Sequence, residues 1–312
     1  MTYMQRALEL AERGRGKVRD HPLVGAVVVA DDTVVGEGWY EYDAVDHAET
    51  VALREAGDRA RGATMYVTLE PCAHHGRTPP CADAVAAAGV ARVVVGALDP
   101  NPKAAGGVDR LRAAGVDVEV VDSADARRQN EAWRTWVALG RPFVTYKAAV
   151  TLDGRVAVPG RRWVSGEESR RLVHELRAQS DAVAVGMGTV RADDPRLDAR
   201  AVGATKQPRR LAFGHGPAGE LEVRSGPLED ELRALAVEGV QSLLLEGGPT
   251  LATAFFRAGL VDKLLVFVAP VVGGEGPRFL GELADPVTLS DFTVRRVGED
   301  VLFGAYPELE PG

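Results

Sequence analysis

The sequence predicts an α/β protein of two domains. A length of 312 residues favours two domains of roughly 150 residues over a single core. Short apolar runs alternate with amphipathic segments, the pattern of a sheet covered by helices. The alternation restarts after residues 138–143. We therefore expect a boundary near 138–144 and domains of residues 1–141 and 142–312.

The first half predicts a mainly parallel sheet with helices on its faces. LVGAVVVA (23–30) and TVVGEG (33–38) predict a strand pair that turns at Asp31 and Asp32. HAETVALREAG predicts a helix ended by Gly57. The remaining predicted elements alternate as strand, helix, strand, helix, strand and closing helix: 63–70, 79–89, 91–97, 107–115, 116–121 and 124–139.

The second half predicts another sheet. Strands are expected at 143–150, 181–186, 242–248 and 262–270, and a helix at 165–179. Residues 292–306 predict a terminal hairpin that turns near Gly298. The stretch GHGPAGELEVRSGPLED (214–230) is the segment that we expect to be irregular.

Composition argues against two classes of partner. A formal charge of −8 argues against a nucleic-acid binder held mainly by phosphate contacts, and the longest apolar run, residues 23–30, is too short to cross a bilayer. The N-terminal residues do not have the pattern of a signal peptide, so we expect a cytoplasmic protein. In that compartment, paired cysteines indicate a metal site more often than a disulfide.

The two cysteines of the chain lie in TLEPCAHHGRTPPC (68–81), shortly after HAE (47–49). His47, Cys72 and Cys81 are a donor set suited to one tetrahedral zinc ion per chain, with a fourth position left for water. Zinc lowers the pKa of a bound water to about 7. Glu49 lies beside this set as a proton shuttle. We also expect the helix N-terminus at Cys81 to favour its thiolate.

Two alternatives accompany the zinc-site interpretation. His74 or His75 could complete a closed Cys2His2 site with no role in chemistry. The chain could also be a zinc-stabilised binding module without turnover. The closed site leaves Glu49 and the exposed loop unexplained, whereas release of ammonia with zinc present would separate an enzyme from the binding module.

HAE followed by EPC matches the zinc-deaminase signature, although eight residues separate the cysteines instead of two. With HPLVGAVVV (21–29) and DPNP (99–102), the insert PCAHHGRTPPC resembles the bifunctional pyrimidine deaminase–reductase family of riboflavin biosynthesis. The resemblance implies a cytidine-deaminase-like three-layer domain. It also implies substrate contacts with the base and the ribose phosphate from His21, His74, Arg77, Asp99 and Asn101.

Glycines follow two buried strands in the second half, in VGMGTVRADDPRL (185–197) and LLLEGGPTL (243–251). Such turns expose backbone N–H groups that suit phosphate, although alone they indicate no more than tight turns. With KAAVTLDGR (147–155), they resemble the reductase half of the same family. That half has a dihydrofolate-reductase-like fold and uses NADPH.

This second resemblance implies two sets of site residues. The expected NADPH contacts are Ala149, Trp163, Thr189, Asp193, Gly248, Pro249, Thr250, Leu251, Ala252, Thr253 and Ala254. The expected substrate contacts are Lys147, Asp153, Arg161, Arg177, Leu197, Arg200 and Glu246. For Glu246, at the end of a buried strand, a functional role is favoured because a buried unpaired carboxylate is costly.

The chain departs from the family pattern at four substituted positions, and it lacks an arginine in DPNPKAAGGVDRL (99–111) and two residues in the hairpin VAVPGRRW (156–163). His21 replaces an asparagine, Tyr40 a histidine, Arg161 a serine and Gly214 an aspartate. An amide can donate and accept from one planar head, so His21→Asn is expected to raise deaminase efficiency or leave it unchanged. The alternative is that His21 compensates for the change at Tyr40.

Together with the zinc-site pattern, the family resemblance implies a bifunctional enzyme that acts on a small phosphoribosylaminopyrimidine, with no nucleic-acid or membrane partner. The first domain would deaminate the pyrimidine, and the second would reduce the ribosyl group to a ribityl chain with NADPH. The alternative enzyme is a zinc deaminase for another nucleobase with a non-catalytic C-terminal domain. The sequence leaves open an assembly of identical chains through the reductase domain.

Overall fold

The computed structural model describes residues 1–204 and 206–308 and divides the chain into two compact units, Met1–Leu139 and Gly140–Gly312. Each unit has a buried apolar core of its own. Within the described residues, no helix is both long and apolar enough to cross a membrane.

The first unit, all of which is described, combines five strands with six α-helices. The strands are Gly25–Ala30 (β1), Thr33–Trp39 (β2), Thr64–Val67 (β3), Arg92–Val95 (β4) and Asp117–Val120 (β5). The helices are Tyr3–Glu12 (α1), Ala48–Ala56 (α2), Cys81–Ala87 (α3), Gly107–Ala113 (α4), Ala124–Gln129 (α5) and Glu131–Leu139 (α6). The predicted strand pair at β1 and β2 and the helix ended by Gly57 are confirmed.

The sheet of this unit has the order β2-β1-β3-β4-β5, and four of its strands run in one direction, as predicted for a mainly parallel sheet, whereas β1 is reversed. Strand β1 is antiparallel to both β2 and β3, whereas β3, β4 and β5 run parallel. The reason is the tight turn after β1, which makes β2 antiparallel to it. The long connection through α2 then returns the chain to the other edge of β1.

Alternation along β1 produces the three layers. Val27 packs with α1 on one face of the sheet, and Val28 packs with α2 on the other. Helix α2 lies directly against the backbone of β2. The approach is so close that a Cβ atom added at Gly36 or Gly38 would stand 2.1 Å from a carbonyl oxygen of the helix. Glycine is therefore required there for close packing of helix on sheet.

The predicted closing helix is two helices, α5 and α6, which meet at Asn130. The side chain of this residue accepts a 2.8 Å hydrogen bond from the backbone N–H of Leu23 and donates one of 2.8 Å to its carbonyl oxygen. Asn130 leaves the helical conformation, with φ −112° and ψ 19°, while its side chain makes this pairing. Such side-chain pairing competes with continuation of a helix.

In the second unit, across residues 140–204 and 206–308, eight strands form one sheet. The strands are Phe143–Thr151 (β6), Ala182–Gly186 (β7), Arg209–Phe213 (β8), Glu222–Arg224 (β9), Ser242–Leu245 (β10), Lys263–Ala269 (β11), Leu289–Val297 (β12) and Asp300–Pro307 (β13). The helices are Glu167–Gln179 (α7), Met187–Asp193 (α8), Leu228–Val237 (α9) and Pro249–Arg257 (α10).

The order of this sheet is β12-β13-β11-β6-β10-β7-β8-β9. It is parallel from β11 to β9, and β12 and β13 form the predicted terminal hairpin, which turns at Gly298 with φ +59°. The prediction that the segment 214–230 is irregular is wrong in part, because the segment contains β9 and the start of α9. Strands β6, β7 and β10 are adjacent, so their carboxyl ends meet at one edge of the sheet.

Candidate functional sites

The three predicted metal ligands come together in the first unit. His47 is the N-cap of α2, Cys81 is the first residue of α3, and Cys72 lies in the loop between β3 and α3. His47 Nδ1 stands 3.7 Å from Cys72 Sγ and 3.2 Å from Cys81 Sγ, and the donor atoms all lie within 4.8 Å of one another. Zinc bonds of about 2.0–2.3 Å at tetrahedral angles require similar separations, so the donors fit this ion.

The closed-site alternative is not what the structure shows. Among the described residues, His47, Cys72 and Cys81 are the group of potential ligands that converge. The side chains of His74 and His75 are exposed and stand outside this group. Three protein ligands leave a coordination position open, as in zinc enzymes.

The two thiols differ in their hydrogen bonding. The backbone N–H of Cys81 donates to Cys72 Sγ over 3.3 Å. Hydrogen bonding from the Cys81 thiol lowers the pKa of Cys72 to about 4, and the pKa of Cys81 is raised by the same bond and by burial. Without a metal ion, the N–H at the start of α3 therefore supports the thiolate of Cys72 rather than that of Cys81. A bound metal ion would displace the proton that remains on the pair.

Glu49 lies in the first turn of α2, two residues beyond the metal ligand His47. Its side chain is buried, and burial raises its pKa to about 7. The carboxyl group interacts with the Cys81 thiol but is outside the group of ligand atoms. A carboxyl with a pKa near neutrality beside a metal centre can both take and give a proton.

A row of aromatic rings connects the metal ligand His47 to His21, one of the residues that depart from the family pattern. The ring of Tyr40 meets the ring of His47 edge-on, with centroids 5.3 Å apart. The ring of His21 lies 5.5 Å from Tyr40 and 5.3 Å from Tyr42. The two departures from the family pattern in this unit, His21 and Tyr40, are thus in direct contact. This contact supports the alternative that one compensates for the other.

Arg77 and His74, both expected to contact substrate, lie on the exposed insert before α3. The guanidinium of Arg77 stands 4.8 Å from the ring centroid of Tyr42, and its Nη1 donates to the carbonyl oxygen of Tyr42 over 3.3 Å. The arginine is thereby held beside the row of aromatic rings.

Asp99 and Asn101 shape the loop after β4. Asp99 accepts a 2.7 Å hydrogen bond from the N–H of Asn101, and burial raises the pKa of Asp99 to about 6. Glu70 was not among the predicted site residues, yet its buried carboxylate accepts hydrogen bonds from the N–H groups of Asp99, Gly106 and Val108 at 3.0–3.2 Å. Its signal was a glutamate directly before Pro-Cys at the end of a buried strand.

In the second unit, Glu246 joins two cations at the carboxyl end of β10. Its carboxylate accepts from Arg177 Nε at 2.6 Å and Nη2 at 2.9 Å, and Lys147 Nζ lies 3.0 Å away. Burial would raise the pKa of Glu246, but the two cations outweigh it and lower the pKa to about 2. The premise of an unpaired carboxylate is wrong, because Glu246 is paired on both sides.

The two glycine turns of this unit lie side by side. A Cβ atom at Gly248 would stand 3.3 Å from Thr189 Oγ1, and one at Gly186 would stand 3.3 Å from the Cβ of Leu251. The start of α8 thus meets the start of α10, where backbone N–H groups have no partner within the helix. A cradle that any larger side chain would fill fits a pyrophosphate, the part of NADPH expected here.

Three of the predicted cofactor and substrate contacts of this unit have structural surroundings instead. Ala252 and Thr253 face the core rather than the surface, and Thr253 Oγ1 accepts from the N–H of Gly281 over 2.7 Å. Asp153 accepts from the N–H groups of Gly273 and Gly274 at 2.7 and 2.8 Å, so it holds a loop.

The remaining predicted contacts of this unit differ in how exposed they are. Leu197 is buried, and Arg200 pairs with Asp198. Pro249 and Ala149 are half-buried. Four of the predicted contacts are exposed: Thr250, Arg161, Trp163 and Asp193. Ala254 is half-buried within α10.

Comparison with known proteins gives two family models in chain order. The cytidine and deoxycytidylate deaminase zinc-binding region matches residues 1–97, and the RibD C-terminal domain matches residues 142–303. The first model contains all three metal ligands. The second spans Lys147, Arg177 and Glu246.

Whole-chain relatives agree with these models. The riboflavin biosynthesis protein RibD of Aquifex aeolicus is 39% identical, with 96% of each chain covered, and that of Escherichia coli is 38% identical over 96% of this chain and 97% of the relative. The solved structure of Acinetobacter baumannii RibD, form 1, has a TM-score of 0.84 at 36% identity and covers 98% of each chain. A deaminase/reductase structure from Thermotoga maritima has a TM-score of 0.83 at 32% identity, covering 98% of this chain and 97% of the other. With two matched domains and whole-length relatives of this identity, the chain belongs to the RibD family of riboflavin biosynthesis proteins.

Proposed function

We propose that this protein carries out two successive steps of riboflavin biosynthesis. The Thermotoga maritima structure is described as a diaminohydroxyphosphoribosylaminopyrimidine deaminase and 5-amino-6-(5-phosphoribosylamino)uracil reductase. We assign the same pair of reactions here. The observation that carries the proposal is a buried glutamate beside three converging zinc donors in one unit, with paired cations and a glycine cradle in the other.

We assign the zinc-dependent deaminase to residues 1–141 and the NADPH-dependent reductase to residues 142–312. The metal donors and Glu49 lie in the first range, and the Glu246 cluster lies in the second. Each set of residues is organised by elements of its own unit.

In the deamination, His47, Cys72 and Cys81 hold the zinc ion, which when bound supplies Lewis acidity that activates water. Glu49 takes a proton from the attacking water and delivers it to the ring nitrogen. It then takes the proton of the hydroxyl group added to the ring carbon and gives it to the amine, so the C–N bond breaks, ammonia leaves and the ring carbonyl forms. Burial raises the pKa of this carboxyl to about 7, which suits a group that alternates between the two forms.

The rest of this site orients the phosphoribosylaminopyrimidine. Arg77 suits a phosphate, because its planar group donates two parallel hydrogen bonds. His21, His74, Asp99 and Asn101 are assigned as further substrate contacts. The turn after β4, held by Glu70, supports the last two.

In the reduction, NADPH would supply hydride to the carbonyl-level carbon of the ribosyl group. The bond from that carbon to the sugar ring oxygen breaks, the oxygen takes a proton from solvent, and the sugar becomes an open ribityl chain. The N–H groups at the start of α10, from Gly248 to Leu251, would hold its pyrophosphate, with Thr189 beside them. Lys147 and Arg177 bind the sugar phosphate side of the substrate. Glu246 holds both cations in place and accounts for the precise arrangement of their donors.

We also propose that identical chains associate through the reductase unit. Strand β12 lies at one edge of the eight-stranded sheet and is largely exposed. Its side chains Phe292 and Val294 are 59% and 64% exposed. An exposed apolar edge strand is a site at which strands of another chain can add. Sedimentation of the chain and of Val294→Lys would test this, and a monomer at all concentrations contradicts it.

A coupled assay tests the enzymatic proposal. The zinc-loaded protein is given the diaminopyrimidine phosphoriboside, and ammonia release and NADPH oxidation are followed together. We expect ammonia to appear first and NADPH oxidation to depend on the deaminated product. Deamination without any NADPH oxidation would instead identify a deaminase with a non-catalytic second domain. Absence of both reactions would leave a zinc-binding module.

A further inference from the structure

Two arginines share one aromatic ring near the metal centre. The guanidinium carbon of Arg19 stands 4.0 Å from the ring centroid of Tyr42, and that of Arg77 stands 4.8 Å from it. We propose that Arg19, Tyr42 and Arg77 form an anion clamp that takes the phosphate group of the deaminase substrate. The proposal rests on the proposed function for the identity of that substrate, and it adds Arg19 as a residue that determines affinity for the phosphorylated form.

The ring positions the two cations without consuming their hydrogen-bond donors. A guanidinium has five N–H donors, and a stacked guanidinium keeps them in its own plane. Arg77 Nη1 donates to the carbonyl oxygen of Tyr42, and Arg19 Nη2 pairs with Asp43 over 2.9 Å. Asp43 is 86% exposed and Arg19 is 60% exposed, so this pair is weak and an anion of higher charge can displace it.

The backbone of Arg19 also indicates a specific placement. Its φ of +56° lies in the left-handed region, which costs a non-glycine residue roughly 1 kcal/mol or more. The N–H of Tyr42 donates to the carbonyl oxygen of Lys17 over 3.1 Å, which joins the segment before Arg19 to the segment that contains the ring. The hydrogen bond therefore joins the two segments, and the left-handed turn at Arg19 is part of the path that places its guanidinium over Tyr42.

The clamp is connected to the metal ligand through packed rings. Tyr42 contacts His21, His21 contacts Tyr40, and Tyr40 contacts His47 at centroid distances of 5.3–5.5 Å. A pyrimidine held at the metal centre therefore lies near this wall of rings. The chain as a whole has a net charge of −8, yet two cations meet at the ring of Tyr42. An anionic group bound there would stabilise this pair of positive charges.

The test compares Arg19→Gln with the matched control Arg13→Gln. Arg13 also stacks on a ring of the same unit, Trp39, at 4.8 Å, and Trp39 packs with α1 on the face of the sheet opposite α2. Steady-state ammonia release is measured with the phosphorylated substrate and with its dephosphorylated form. We expect Arg19→Gln to raise KM about threefold to tenfold for the phosphorylated form alone, the effect of one lost hydrogen bond. The kcat should stay within about twofold, and Arg13→Gln should change neither constant.

Ribose 5-phosphate supplies a second measurement that does not depend on turnover. Because Lys147 and Arg177 of the reductase unit are assigned to the same sugar phosphate, calorimetry of the zinc-loaded wild-type chain should resolve two sites. Arg19→Gln should weaken one of them by about the same factor and leave the other unchanged, and Arg19→Lys should weaken that site less. Equal rises in KM for both substrate forms would indicate a structural role and overturn the clamp. Unchanged KM and unchanged ribose 5-phosphate binding would overturn it as well. If the wild-type chain releases no ammonia, the proposed function fails, and the calorimetric comparison still decides the clamp.

Discussion

The backbone N–H of Cys81 donates a hydrogen bond to the Sγ atom of Cys72, 3.3 Å away. This bond joins the start of α3 to the loop that carries the other thiol, and it sets both sulfurs beside His47. The arrangement of donors therefore depends on the fold around the eight residues between the cysteines, and it predicts how the site responds to the loss of one ligand.

Replacing Cys72 with serine should abolish stoichiometric zinc binding. A hydroxyl is a much poorer zinc ligand than a thiolate, and the Cys81 N–H would lose its sulfur acceptor. Metal analysis after dialysis should give about one zinc per wild-type chain and much less for Cys72→Ser. His75→Ala, at an exposed position outside the donor group, is the control and should keep the metal. A Cys72→Ser protein with full zinc and full deamination contradicts the assignment.

Gly107 should be as important to the metal loop as a ligand. A Cβ atom there would stand 1.7 Å from the carbonyl oxygen of Pro71, the residue before Cys72. Gly107→Ala must therefore displace that loop, at a cost of about 1–3 kcal/mol or more. We expect lower zinc content and a lower melting temperature.

Gly76→Ala is the matched control for this substitution. A Cβ atom at Gly76 meets only the end of the His74 side chain, at 3.4 Å and beyond. It should leave the zinc content unchanged. Normal zinc content and stability in Gly107→Ala would show that the close approach does not constrain the loop.

The two activities should separate by mutation. Glu49→Gln keeps the three metal ligands but loses the group that transfers protons, so deamination should fall about 10²-fold or more. The same variant should oxidise NADPH at the wild-type rate when given deaminated substrate. Glu246→Ala should do the reverse, because it leaves Lys147 and Arg177 without their shared partner. Loss of both activities in either folded variant argues against independent sites.

The pairing of Glu246 should make the second unit sensitive to acid. Its pKa is depressed to about 2 from an ordinary 4.5, so its contribution to stability is complete above pH 4.5 and is lost as the pH falls through 2. At pH 7, Glu246→Gln should destabilise the unit by about 3–5 kcal/mol, because two cations lose their buried partner. Hydrogen exchange of β6, β7 and β10 measures this, and the difference from wild type should shrink below pH 4.5.

A surface pair serves as the control for that measurement. Arg171 and Glu175 stand 3.7 Å apart on α7, one turn from each other, with side chains 75% and 43% exposed. Glu175→Gln should change exchange by less than about 0.5 kcal/mol at any pH. An equally large effect there would mean that the response to acid is general rather than specific to Glu246.

Sequence patterns predicted most of the elements and the metal ligands, because both depend on local spacing. The strand pair at Asp31 and Asp32 and the hairpin at Gly298 are examples. The break between α5 and α6 was not predictable, because Asn130 bonds to Leu23, 107 residues away. The roles of Glu70 and the pairing of Glu246 likewise arise from contacts between distant segments. Such contacts leave no periodicity in the sequence.

The contact between His21 and Tyr40 bears on the departures from the family pattern. Their ring centroids are 5.5 Å apart, and Tyr40 in turn meets the metal ligand His47. His21→Asn would remove a ring from this packed row, so the contact favours compensation over a simple gain from the amide. We therefore expect His21→Asn alone to lower deaminase kcat/KM, with zinc content unchanged.

A double-mutant cycle decides between compensation and independent effects. We expect His21→Asn with Tyr40→His to recover activity that each single change loses, with a coupling of about 0.5–1.5 kcal/mol, or roughly threefold to tenfold in kcat/KM. The rings of Tyr3 and Tyr66, 5.2 Å apart beside α1, form the control pair, whose substitution should couple in stability but not in deaminase efficiency. Strictly additive effects at His21 and Tyr40 would contradict compensation. A gain in kcat/KM from His21→Asn alone would show that the imidazole is a weaker substrate contact than the amide. Because both changes leave the three metal donors in place, zinc content distinguishes a failure of folding from a failure of substrate fit.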